Sequence, residues 1–123
     1  MLLIISACGD EHNTIRDRDG NMYRTVSIGN QEWMTENLRV THYRNGDPVP
    51  VLTDTASWAG TRSGAYCYYY NDTQNISRYG LLYNWHAMND PRNIAPEGWH
   101  LPSEEEIMEL MNSQQILKLK RMK

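Results

Sequence analysis

The side chains of this 123-residue chain best suited to chemistry are four histidines, two cysteines and a run of three glutamates. None of His12, His42, His86 and His100 falls at a tight metal spacing such as His-x-x-x-His. Cys67 sits between Tyr66 and Tyr68, with no neighbouring base or cation to generate a thiolate, so it reads as a structural thiol. Catalytic carboxylates face each other across a cleft. Glu104, Glu105 and Glu106 are instead consecutive and follow Ser103, which reads as the acidic first turn of a helix. The expectation is therefore a protein with no catalytic residues, no metal site and no cofactor.

The aromatic side chains point elsewhere. The chain has four Trp and eight Tyr but no Phe, so every ring carries a polar handle. Such rings suit half-exposed faces and ligand platforms, and they equally suit the core of a polar β-rich domain. Carbohydrate recognition uses stacked rings with polar side chains beside them. Trp58, Tyr68, Tyr70 and Trp85 are the candidate ligand-binding residues on that basis. The formal net charge is -3, and the body of the chain has no basic stripe, which argues against nucleic acid as a partner.

The chain opens with a short apolar run, Met1 to Ile5, then Ser6-Ala7-Cys8 and an abruptly polar stretch. A transmembrane helix needs about 20 apolar residues, so this run is too short to span a bilayer. It reads as the remnant of a secretory signal with a small-residue cleavage site. Ile5-Ser6-Ala7-Cys8 resembles a bacterial lipobox, in which the cysteine is lipidated and becomes the new N-terminus. Cys8 is thus the expected lipidation site, the membrane a partner through that anchor, and the cell envelope, outer membrane or cell surface the location. No Lys or Arg precedes the run, which is consistent with a start placed too late or with truncation.

These residues need elements to place them. Residues 1–8 are the signal remnant, 9–16 a polar tether, 17–113 the domain and 114–123 a basic tail. Asp17 to Asn21 spells a tight turn; Gly20 stands too early for a calcium-binding loop. Met22 to Ile28 is a strand, Gly29-Asn30 a hairpin turn, and Gln31 to Thr35 the returning strand. Leu38 to Tyr43 is a third strand, Asn45-Gly46 a turn, and Pro48-Val49-Pro50 an extended edge. Asp54 caps one helical turn to Ala59. Ala65 to Tyr70 is an aromatic strand, Asn71 to Arg78 a polar loop, and Leu81 to Met88 a short helix. Ser103 and Glu106 form a capping box for a helix with an apolar face of Ile107, Met108, Leu110 and Met111, closing at Asn112-Ser113.

Three segments in this order resemble one family. Asp19 to Leu38, including Asp19-Gly20-Asn21-Met22-Tyr23 and Glu32-Trp33-Met34, is similar to the opening of the Fibrobacter succinogenes major paralogous domain. Tyr79-Gly80-Leu81-Leu82-Tyr83-Asn84-Trp85 is similar to its middle motif, and Ala95 to Ser103, with Gly98-Trp99-His100-Leu101-Pro102, to the motif before its helix. The resemblance covers residues 17 to 113. It implies an exported protein or lipoprotein of Bacteroidetes-type or Fibrobacter-type bacteria. It also implies an α+β domain of C-type-lectin-like or sulfatase-modifying-factor-like fold, with short antiparallel strands and one or two helices. Ala95 stands where the family often has a cysteine, so that family bridge is absent. The family domain continues beyond the helix into final strands, so an incomplete, marginally stable domain is expected. The expected function is a lipid-anchored surface domain binding a polysaccharide or a surface protein. The alternatives are a structural or adhesive module, a non-functional fragment or, less favoured, an enzyme of formylglycine-generating type.

Overall fold

The computed structural model describes residues 4–5 and 14–121, with side chains placed from 14 to 113. Cys8, His12 and most of the signal remnant lie outside the described residues. The main sheet has four strands: β1 (Ile4–Ile5), β2 (Thr14–Arg16), β3 (Met22–Ile28) and β4 (Gln31–Met34). Their spatial order is β1-β4-β3-β2, and every neighbouring pair is antiparallel. The β3–β4 hairpin follows from sequence pattern directly. Gly29 takes φ 61°, a left-handed turn conformation that glycine adopts freely. The turn sets Val26 opposite Trp33 and Ile28 opposite Gln31. Alternation along β3 then buries Tyr23 and Thr25 and exposes Met22, Arg24 and Val26.

Thr14–Arg16, expected as the end of a tether, is instead a strand paired with Met22–Arg24. The reason is Asp17. One carboxylate oxygen accepts the amides of Asp19 and Asn21, each at 3.0 Å, and closes a reversal that lays the flanking residues side by side.

Leu38 to Tyr43 was expected as a strand and is not one. The segment is extended and buries Leu38, Val40 and Tyr43. Its backbone groups, however, bond to side chains and to scattered loops. The Arg39 amide donates to the Tyr23 hydroxyl at 3.0 Å, and the Val40 carbonyl accepts from the Tyr83 hydroxyl at 2.8 Å. The Thr41 amide donates to Asp19 at 2.8 Å, and the Leu81 amide to the Leu38 carbonyl at 2.9 Å. Tyrosine hydroxyls and an aspartate thus do what a neighbouring strand does in a ladder.

The second half is built of short pieces. Helix α1 (Thr55–Gly60) is capped as expected by Asp54, whose carboxylate accepts from the Ser57 amide at 2.8 Å. Strand β5 (Tyr66–Cys67) pairs antiparallel with β6 (Leu82–Tyr83). The expected aromatic strand stops there, because Tyr70 and Asn71 take positive φ within a 3-10 turn at Tyr69–Asn71. The expected polar loop holds a second 3-10 turn, Thr73–Asn75, and helix α2 (Ile76–Tyr79). The expected helix over residues 81–88 divides into β6 and helix α3 (Trp85–Met88).

Helix α4 (Glu104–Arg121) begins in the expected capping box. The Glu106 amide donates to Ser103 Oγ at 3.2 Å, and the Ser103 amide to Glu106 Oε1 at 2.9 Å. The helix runs past Asn112-Ser113, where closure was expected, since no Gly or Pro follows Ser103 to break it. Among the described residues no helix is long and apolar enough to cross a membrane.

The core is the cluster of Tyr23, Met34, Leu38, Val40, Tyr43, Val49, Leu81, Tyr83, Ala87, Ile94, Ala95 and Trp99. It joins β3 and β4 to the extended segment, β6, α3 and the loop before α4. The architecture is a small α+β fold of short antiparallel strands, with one long helix and three short ones among the described residues.

Candidate functional site

Of the four aromatic candidates, Trp85 lines two clefts, and Trp58, Tyr68 and Tyr70 line neither of them. Trp58 and Tyr68 are half-buried. Tyr70 is 84% exposed at φ 54° and meets Tyr69 edge-on, with ring centroids 4.5 Å apart. The four rings therefore do not assemble into one platform at either cleft.

Trp85 opens α3 and is 65% exposed, which is a large apolar area to leave in water. Asn84 puts it there. The Asn84 carbonyl oxygen caps α3 by accepting from the Ala87 amide at 2.9 Å, and it also accepts from the Ala65 amide at 3.0 Å. Its amide nitrogen donates to the Ser63 carbonyl at 2.9 Å. One side chain thus fixes the first turn of α3 to residues 63–65. Ala87, on the opposite face of α3, is fully buried and pins the helix to the core.

On one side of Trp85 lies a polar cleft of about 350 Å³ that includes Arg62, His86, Asn89, Asp90 and Arg92. The His86 ring stands edge-on to the indole at 5.3 Å. Arg92 is firmly held. It donates to Asp90 at 3.0 and 2.9 Å, reaches Asp47 at 3.3 Å and covers the Tyr43 ring at 4.1 Å. Those hydrogen bonds hold the Asp90 carboxyl below its usual range against a small opposing effect of burial. Beneath this cleft Gly64 packs on the Tyr43 hydroxyl and the Ala87 backbone. On the other side of the indole lies an apolar groove of about 380 Å³ formed by Met88, Leu101, Pro102 and Ile107 with Asn89. Exposed Met108 and Met111 continue the apolar face of α4.

The histidines resolve separately. His100 Nε2 meets Glu106 at 2.8 Å, so it braces the start of α4 beside buried Trp99. His42 Nδ1 lies 2.8 Å from Asp19 Oδ1 and 3.0 Å from Thr41 Oγ1, while Thr41 Oγ1 donates to Asp19 Oδ2 at 2.7 Å. These residue types could form a nucleophile triad, but the geometry is wrong for one. A relay places carboxylate and nucleophile on opposite ring nitrogens. Here both meet Nδ1, and the hydroxyl proton is directed at the carboxylate. Burial raises the Asp19 pKa, but the bonds from Thr41 and His42 outweigh it and hold the group below the usual carboxylate range. The cluster clasps the Asp17–Asn21 turn to the extended segment. Burial raises the Cys67 thiol, which makes it a poor nucleophile. Among the described residues no three His, Cys, Asp or Glu converge as a metal site.

Arg62, His86, Asn89 and Arg92 were not singled out from the sequence as site residues. The Asn84-Trp85 step was the available signal: an N-cap residue directly before an aromatic fixes that ring at the exposed start of a helix.

In this small α+β domain the exposed Trp85 indole lines both a polar cleft and an apolar groove. Residues 26–122 match the model of the Fibrobacter succinogenes major domain, and the chain belongs to that family. The matched span begins within β3 and extends through α4. No curated protein and no solved structure matches the chain.

Proposed function

We propose that this domain is a carbohydrate-binding module of lectin-like architecture, held at the cell surface by lipid on Cys8. The observation that carries the reading is the 65% exposed indole of Trp85 beside a polar cleft. A sugar presents an apolar C–H face and a rim of hydroxyls. The indole suits the first, and His86 and Asn89 suit the second. The Gly98-Trp99-His100-Leu101-Pro102-Ser103 run leading into α4 supports the lectin-like assignment. The apolar-small-small-Cys order of Ile5-Ser6-Ala7-Cys8 supports the anchor. Cleavage before Cys8 removes β1 and leaves the outer edge of β4 unpaired.

The test is a glycan array probed with the wild-type protein and with Trp85→Ala. Binding that disappears in the variant, with its fold intact by circular dichroism, supports the reading. A protein that binds no glycan overturns it. Lipidation is read separately, by incorporation of labelled fatty acid into a bacterial lysate expressing wild type or Cys8→Ala.

The apolar groove favours a second reading, an adhesive module that grips a protein. On that reading Ile107→Asp and Met108→Asp abolish surface attachment, and Arg62 and His86 are dispensable.

A further inference from the structure

We propose that the Trp85 cleft selects an acidic saccharide, a hexuronate whose ring lies on the indole while its carboxylate pairs with Arg62. This rests on the reading of the cleft as a saccharide site and adds the chemical class of its ligand. The argument is one of charge. Two arginines line the cleft, Arg62 and Arg92. Arg92 already spans two carboxylates, Asp90 and Asp47, and lies over an aromatic ring, so its donors and its charge are engaged within the protein. Arg62 is exposed and, among the described residues, enters no salt bridge and makes no side-chain hydrogen bond. Arg62 shares this with other arginines such as Arg18 and Arg24, and what sets it apart is that it lines the same cleft as Trp85.

The position of Arg62 is also set. It directly precedes Ser63, whose carbonyl is held by Asn84 Nδ2, and Asn84 directly precedes Trp85. One side chain thereby ties the backbone next to Arg62 to the residue before Trp85, and both residues line one cleft. A planar guanidinium with several donors matches a carboxylate bidentately, which an ammonium does not. Arg62 therefore supplies orientation as well as charge. A neutral hexose offers it only a hydroxyl.

Affinity electrophoresis or calorimetry of the full chain would compare polygalacturonate with the same polymer after carboxyl reduction. Wild type is expected to bind the acidic polymer at least about tenfold more tightly, as for a charge-assisted hydrogen bond. That preference should shrink with added salt. Arg62→Gln should erase the preference and Arg62→Lys should restore it only in part, while Trp85→Ala should abolish binding of both polymers. Equal binding of both polymers by wild type overturns the acidic specificity and leaves the saccharide reading intact. An unchanged preference in Arg62→Gln overturns the assignment to Arg62. Binding of neither polymer, or full binding by Trp85→Ala, overturns both readings.

Discussion

The α-carbon of Gly64 lies against the hydroxyl of Tyr43, so that a β-carbon on residue 64 would overlap the phenol oxygen and approach the Ala87 α-carbon to 3.1 Å. Tyr43 is fully buried and Ala87 offers backbone, so neither neighbour gives way easily. Gly64→Ala should therefore destabilise the fold by about 1–3 kcal/mol, as overpacking does. Chemical denaturation of the variant measures this. Removing the oxygen with Tyr43→Phe should recover part of the loss in the Gly64→Ala background, a coupling that a double-mutant cycle reads.

The absence of Phe puts hydroxyls in the core, and they are not equivalent. The Tyr83 hydroxyl donates to the Val40 carbonyl, whereas that of Tyr43 is buried with no hydrogen-bond partner of good geometry among the described residues. Burial keeps the Tyr83 phenol far above its usual range, so it stays a donor at any ordinary pH. Tyr83→Phe strands a buried carbonyl and should cost about 1–3 kcal/mol. Tyr43→Phe removes only an unsatisfied group and should be neutral or slightly stabilising. Thermal melts of the two variants should differ in sign or nearly so.

The Glu106 carboxylate gives a pH dependence. Burial raises its pKa, but bonds from Ser103 and His100 outweigh that and hold it below the usual value. A group depressed in the folded state contributes stability that is complete above its unfolded value, about 4.3 for Glu. That stability is lost as pH falls through the lower folded value. Wild type should thus lose stability below about pH 4.3. Glu106→Gln keeps the capping geometry and should show a smaller loss over that window. Urea midpoints at pH 7 and pH 3 should differ for the two proteins at the first pH and converge at the second.

Asn84→Ala should cost about 1 kcal/mol for the lost cap. It should also release residues 63–65 from α3. Weakened ligand binding with Arg62 and Trp85 both still present, measured by calorimetry, is the expected outcome.

The sequence made the locally determined elements plain. The β3–β4 hairpin, the Asp54 cap and the Ser103–Glu106 box each depend on residues a few positions apart, and each stands where the pattern put it. The misread segments are those whose partners are remote. Leu38–Tyr43 has a strand's composition but takes its hydrogen bonds from Asp19, Tyr23 and Tyr83. The aromatic run ends at Cys67 because Tyr70 and Asn71 turn left-handed, which their types do not announce. At the site, Trp85 was legible as a ring. Its cleft was not, because Arg62 reaches it only through the long-range bond from Asn84 to Ser63.

Gln31 has a further consequence. Its buried side chain accepts from the Trp33 indole and donates to the Glu106 carbonyl at 3.1 Å and the Glu109 carboxylate at 3.0 Å. These partners lie 75 and 78 residues away. The hairpin is local and can form by itself, whereas the Gln31 amide exchanges water for these partners only when α4 docks on it. Closure of such a distant contact is slow, so the hairpin stands complete before the contact that joins it to α4 is made.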